Sequence, residues 1–571
     1  MKKIVLMLCL LCPLPLWAQQ IDLEHIGDFF GKGQPLKVYG GISANTIYHA
    51  GGMENGRQPF TWNLNGTLGL NLFGKISLPF SFNLTNAGAN YSYPVMPNRL
   101  SLHPAYKGVT AHIGDVSMSF SPYTLNGYQF SGAGVDVATQ KDWQISAMYG
   151  RMQKPVSWDS LNPTNQPSYR RMAKGLNLQL RKEKYAIGMI IFHAADDPES
   201  LPLHLDSLNI YPRSNLVISW NGMVRPAKGL ELSAEYANSA MKLDNRDHSV
   251  APNYRWNLLK YLMHQANNTT FYKAFNAKLN YSIHKGTVGV GYERIDPGYQ
   301  TLGAYYFNND LENITFNVSH PLLNNKATIA VNVGFQRDDL DKTKSGTTSR
   351  MVGMMNLNYM PSDKFNSTLT YSNFQSYMHI KPQFDYINQT SPFQNLDTLN
   401  FKQISQNAAW NLNYSIRNNK LRNHNINLNL NFQDAADLQD GVLRKGNGSQ
   451  FYYASTAYSL LFVKQQLNLV AAFNLSYNTI GRNEFLTMGP TLAANTRLLN
   501  KKASAGFTTS YNASNSGEGA QGQVLNLRLN CSYQLLKKHN LTLSAIRQTR
   551  WMPARPALND LTATAGYNYN F

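Results

Sequence analysis

From Phe60 onward, apolar and polar side chains alternate in long stretches. Phe60, Trp62, Leu64, Leu68, Leu70 and Leu72 interleave with Thr61, Asn63, Asn65, Thr67 and Asn71. After Gly74-Lys75, the residues Ile76, Leu78, Phe80, Phe82 and Leu84 interleave with Ser77, Ser81, Asn83 and Thr85. A period of two sends successive side chains to opposite faces of a strand. The pair therefore reads as a hairpin with Gly74-Lys75 as its turn. The same alternation returns at Ile426, Leu428, Leu430 and Phe432 against Asn427, Asn429, Asn431 and Gln433. It returns again from Leu525 to Leu535, and in Leu561, Ala563, Ala565, Tyr567, Tyr569 and Phe571. One face is apolar and the other is rich in amides. Many runs reach about 10 to 14 residues, longer than sandwich strands and enough to cross a bilayer at a tilt.

The connections fall into two sets. The short ones all carry lysine: Lys75, Lys107, Lys141, Lys182, Lys184, Lys228, Lys285, Lys326, Lys364, Lys420, Lys464, Lys501, Lys502, Lys537 and Lys538. Between them lie longer connections near 153–173, 196–213, 242–270, 379–403 and 435–449. Short turns at one rim and long loops at the other describe a membrane barrel, the sheet that satisfies every backbone amide inside hydrocarbon. A barrel of 2n strands with both ends on the short-turn side has n − 1 short turns, so about 12 turns predict about 26 strands, in a range of roughly 22–28. The expected fold is all-β: a transmembrane, antiparallel, up-and-down β-barrel with short periplasmic turns and longer extracellular loops.

Composition narrows the class. Charged residues are 15% of the 571, against about a quarter in ordinary soluble chains, and Asn, Ser, Thr, Gln and Tyr supply the polarity instead. Lys2 and Lys3, the apolar stretch Ile4–Trp17 and the small Ala18 form a secretory signal. The expected organisation is residues 1–18 as signal peptide, 19–35 as a short periplasmic segment, and 36–571 as the barrel. Leu23, Ile26, Phe29 and Phe30, followed by Gly31, predict a short amphipathic helix in the second part. Cys9 and Cys12 leave with the signal, so Cys531 remains alone, without a disulfide partner or a thiolate cluster. The net charge of +19 is spread along the chain with no nucleic-acid motif, and no nucleic-acid partner is expected.

The terminal aromatic alternation Tyr567, Tyr569 and Phe571 resembles the last-strand signal that outer-membrane barrels present to the barrel assembly machinery. Signal peptide, Asn/Tyr-rich strands and lysine turns together resemble the large barrels of Bacteroidota-type Gram-negative bacteria. The resemblance implies residence in the cell outer membrane, with membrane lipid and that machinery as partners. In strand count the chain is similar to lipopolysaccharide-export barrels and fimbrial ushers. A TonB-dependent transporter resembles such a barrel with a plug domain in front, whereas barrel-like alternation here begins by about Leu36.

A lumen of this size needs filling by loops, flattening, or an accessory periplasmic or surface protein. Expected lumen-facing residues are Asn276, Lys278, Asn280, Asn427, Asn429, Asn431, Asn526, Arg528 and Asn530. In loop 242–270, Trp256, Leu259, Leu262 and Met263 have helical spacing and are the candidate inward gate; loop 379–403 is the second candidate. These features predict a pore or export conduit for large or polar substrates. The alternative is a closed structural barrel that binds a partner. Catalytic chemistry is sparse: His112 and Ser117 are the nearest approach to a hydrolase cluster, and Gly31-Lys32-Gly33 lacks the phosphate-loop pattern. No cofactor is expected. The outer-loop acids Asp196, Asp197 and Glu199, then Asp338, Asp339 and Asp341, then Asp434, Asp437 and Asp440, lack calcium-loop spacing.

Overall fold

The computed structural model describes residues 35–51, 59–86, 99–138, 142–158, 167–202, 205–249, 263, 266–305, 307–343, 349–373, 376–379, 401–436, 438–439, 442–443, 449–480, 483–517 and 519–571. The expected signal peptide and amphipathic helix lie outside these residues.

Twenty-eight strand segments form one antiparallel sheet. Arg99–Leu102 and Ala105–Tyr106 are halves of one strand, as are Phe365–Ser372 and Ser376–His379, because each pair of halves lies against the same neighbour. The sheet therefore has 26 positions. Each strand pairs with the next in sequence, and the first, Leu36–Gly51, closes on the last, Leu558–Asn570, in the register Gly41↔Asn570 to Gly51↔Asp560. Phe571 N then donates to Gly40 O at 3.1 Å. Closure leaves no edge strand, the condition for a sheet in hydrocarbon. Among the described residues the helices are two short 3-10 turns, Pro198–Ser200 and Asp206–Leu208.

Twelve short connections occupy one rim and thirteen connections the other. The expected length contrast holds for most of the second set, yet Ile480 to Asn483 and Ser516 to Gly519 are also tight. The first hairpin turns one residue earlier than its sequence implies. Lys75 N donates to Leu72 O at 3.0 Å, which centres the turn on Phe73 and Gly74, both at positive φ (53° and 70°). The right-handed twist of paired strands selects such turns, and they need left-handed backbone at both central residues.

The outward face is apolar and exposed, as at Ile187 (62%), Phe316 (49%), Leu492 (55%) and Leu543 (51%). Cys531 alternates with Asn530 and Ser532 and shares this face. The inward face departs from the expected uniform polarity. Over the long-loop half of ten consecutive strands, it carries Val116, Phe130, Met148, Ala173, Phe192, Val217, Ala237, Ala274, Ile295 and Leu311 in one buried cluster. Side chains from ten neighbouring strands converge only on the concave side of the wall. Something must cover them there.

Candidate functional site

Two loops from the long-loop rim provide the cover. Residues 120–125 connect Val109–Ser119 to Asn126–Ala138, and residues 296–310 connect Gly286–Ile295 to Leu311–Leu322. Their parent strands lie eight positions apart round the barrel, yet the loops bond directly. Asn126 N donates to Gly303 O at 2.9 Å, Tyr299 Oη to Tyr123 O at 2.8 Å, and Thr301 Oγ1 to Thr124 O at 2.8 Å. Thr124, Leu125 and Tyr299 are fully buried. Tyr305 stacks on Tyr128 with centroids 4.1 Å apart, and its hydroxyl accepts from Gln129 N at 3.1 Å.

The wall anchors both loops. Leu302 N donates to Asn215 Oδ1 at 3.1 Å, and Ser239 Oγ donates to Gln300 O at 2.6 Å. Beneath them, Asn221, Glu235, Asn276, Glu293, Asn313 and Gln336 form a polar row across adjacent strands, each opposite the next. Tyr123 Oη donates to Glu293 Oε1 at 2.6 Å and accepts from Asn276 Nδ2 at 3.0 Å. Asn313 Nδ2 bonds the other Glu293 oxygen at 3.2 Å, and Ser219 Oγ bonds Glu235 at 2.7 Å. Burial, and then the Glu293 carboxylate, push the Tyr123 phenol above its ordinary value, so it stays a donor at neutral and alkaline pH.

Glycine admits the close packing. A Cβ at Gly303 lies 2.5 Å from Thr124 O and 2.9 Å from the Phe192 ring; one at Gly150 lies 2.6 Å from Phe130. Neither glycine has positive φ, so the requirement is space.

Among the described residues, the inward loops are thus 120–125 and 296–310, which were not singled out from the sequence. Trp256, Leu259 and Leu262 lie outside the described residues, as does nearly all of 379–403. Met263 is buried with Leu216 and Ala240, against Ile191, Ile218 and Phe271. Leu216 alternates with the lumen-cluster residue Val217, so Met263 sits on the opposite, outward face of the wall. That rim patch offers a Met side chain apolar cover. The sequence signal for the bed beneath 120–125 and 296–310 is a break in alternation. Met189-Ile190-Ile191-Phe192 and Leu216-Val217-Ile218 are apolar on both faces, as strands covered on both sides are.

The remaining expected lumen residues share a face with these anchors or form amide ladders elsewhere. Asn280 Oδ1 accepts from Asn317 at 3.3 Å, while Lys278 is exposed one layer from Asn276 on the same face. Asn427 donates to Asn413 at 2.7 Å and accepts from Asn429. Asn431 follows in the same file. Asn526 donates to Ser510 at 3.2 Å and accepts from Gln548 at 2.8 Å; Asn530 accepts from Ser544 at 2.7 Å. Arg528 lies between Asn526 and Asn530 on that face. Tyr567 and Tyr569 alternate outward on the closing strand, with the Tyr569 and Phe571 rings 5.4 Å apart.

His112 and Ser117 have opposite parity along one strand and point to opposite faces, so they form no Ser–His pair. His112 instead bridges His103 (Nδ1 to Nδ1, 2.9 Å) and Asp136 (Nε2 to Oδ2, 2.8 Å). Asp196, from the first acidic cluster, is buried in a fork with Arg171 at 2.7 and 3.0 Å. Asp437 and Asp440 lie outside the described residues. Among the described residues, no group of three His, Cys, Asp or Glu is arranged to hold a metal.

No protein-family model matches the chain, and no curated protein matches it. It is similar to a chain of the E. coli P pilus tip assembly intermediate PapC–PapD–PapK–PapG, at 12% identity and a TM-score of 0.44, over 94% of this chain and 61% of that one. This chain thus spans about three fifths of that relative's length. It is also similar to the FrpB iron transporter of Neisseria meningitidis, at 10% identity and a TM-score of 0.36, over 93% and 82% of the two chains. The ferric citrate transporter FecA matches at 9% identity and a TM-score of 0.36, over 93% and 79%.

Proposed function

We propose that this barrel is a conduit in the cell outer membrane, carrying large or polar substrates past a constriction formed by 120–125 and 296–310. One observation carries the reading: two loops from distant strands are locked to each other within the lumen, over an apolar bed on one part of the wall. Elsewhere the described inward face is dominated by Asn, Ser and Thr, with scattered charges such as Lys278 and Arg528, and it offers hydrogen bonds without a dominant charge. Such a wall suits neutral polar solutes or unfolded polypeptide, whereas phosphate pores use rings of cations. No bond-making step is involved. The density of hydrogen bonds in the lock also favours a second reading, a closed scaffold that binds an accessory periplasmic or surface protein.

Single-channel recording of the reconstituted barrel separates the two. Gly303→Ala drives a methyl group into Thr124 O and the Phe192 ring, an overpacking that costs about 1–3 kcal/mol. A conduit shows discrete conductance steps, with the variant spending more time in its larger state. A membrane that stays silent with both proteins, each retaining the circular dichroism of a folded barrel, rejects the conduit.

A further inference from the structure

The lysines of the short turns play no part in the constriction, yet they are the strongest charge feature of the molecule. The twelve turns contain fifteen lysines, three carboxylates (Asp142, Glu183 and Asp363) and no arginine. That is a surplus of twelve positive charges at one rim, out of a chain total of +19. Every described lysine of the set is exposed.

Just inside this ring, the outward wall carries exposed aromatics within about five residues of the turns: Trp143, Tyr185, Tyr281, Tyr414, Tyr458 and Tyr533. Amphipathic rings on a barrel's outer wall sit where hydrocarbon meets headgroups. The lysines lie one step further from the hydrocarbon, at the depth of lipid phosphates. Lys107 joins the layers, with Nζ 5.2 Å from the Tyr106 ring centroid.

We infer that the lysine ring is a binding surface for anionic phospholipid headgroups, which form a selected annulus around the short-turn rim. Distribution decides between lipid and protein. A docked protein touches an arc of a rim, whereas lipid touches all of it, and here lysine recurs in turn after turn round the whole circumference. Side-chain chemistry agrees. Lysine is a flexible point charge that follows mobile phosphates, while fixed bidentate recognition of a carboxylate or phosphate favours arginine. The inference concerns the outer perimeter and holds whether or not the lumen conducts.

The test places the full chain in nanodiscs of phosphatidylcholine containing a minor fraction of phosphatidylglycerol, and measures co-purifying lipid after mild detergent extraction. The wild type is expected to enrich phosphatidylglycerol about fivefold over its bulk share, with the enrichment lost in 1 M salt, where screening shortens to about 3 Å. The variant K501Q/K502Q/K537Q/K538Q is expected to lose a large part of it, whereas K154Q/K342Q, at the other rim, keeps it. Equal retention of both lipids, or equal loss in both variants, overturns the inference. So does binding of soluble polyglutamate to the rim in pure phosphatidylcholine discs without lipid enrichment, the result that marks a docking surface for an acidic protein.

Discussion

At the scale of single residues, the constriction depends on groups that complete one another across the lumen. Tyr123 illustrates this, because its hydroxyl serves as donor to Glu293 and acceptor from Asn276. Removing that hydroxyl leaves a carboxylate with Asn313 alone and an amide short of an acceptor. Hydrogen bonds to charged groups contribute about 1.5–3 kcal/mol, and the orphaned partner carries its own desolvation cost. Tyr123→Phe is therefore expected to weaken the lock while the wall stays intact. Hydrogen exchange of 120–125 and 296–310 should rise at least about tenfold, with exchange in Ala503–Ser516 unchanged. Exchange that rises equally in both places would mean the hydroxyl supports the barrel as a whole. The role of Tyr123 was not legible in the sequence, where it is one tyrosine among 33. Its partners lie some 150 to 170 positions away, and only closure of the barrel brings them together.

Among elements, the clearest contrast is between strands and loops. Strand alternation is a local property with one physical cause, burial of one face in lipid, and it could be read directly. Loops have no such period, and their destination depends on what they meet. The outer-rim loops 198–212 and 243–249 show this. Asn245 N donates to Pro212 O at 2.6 Å, and Arg246 bridges Asp206 (2.9 Å) and Asp244 (2.7 Å). Hydrogen bonds from the Arg246 side chain, then its backbone N–H, hold the Asp244 carboxyl below its usual range against the opposing effect of burial. The sign follows from that depression: the clasp contributes fully above the unfolded carboxylate value near about 4, and fades as pH falls through the lower folded value. It is half-exposed and contributes about 0.5–1 kcal/mol. Protease cleavage within 243–249 should hold steady between pH 7 and 5 and rise below about pH 4, measured with an acid-active protease. Arg246→Ala should cleave fast at every pH. A rise already complete at pH 5 would assign the effect to another group.

At the scale of the whole molecule, closure turns 26 marginal ribbons into one stable wall, because every strand end and edge then has a partner. The closing pair joins residues over 500 positions apart, so closure depends on the two ends of the chain meeting. Deleting 558–571 strips the partner from both Leu36–Gly51 and His539–Trp551. It is expected to abolish the heat-modifiable band of a folded barrel on gels. Survival of that band would show that His539–Trp551 can close directly on the first strand. The same scale places the two loops: strands eight positions apart face each other closely enough across the lumen for 120–125 and 296–310 to bond over a bed shared by ten strands.

By itself, the order of residues settled the strand period, the apolar exterior, the lysine-bearing rim and a count of about 26, because each follows from local chemistry repeated along the chain. It also held the outline of the loop bed, in the runs at 189–192 and 216–218 that are apolar on both faces. Which loops enter the lumen was decided only by the tertiary structure. The deciding quantities were the space above Gly150 and Gly303, the register that lines up Glu235, Asn276 and Glu293, and the distance across the lumen between two arcs of one rim, which only a closed wall defines.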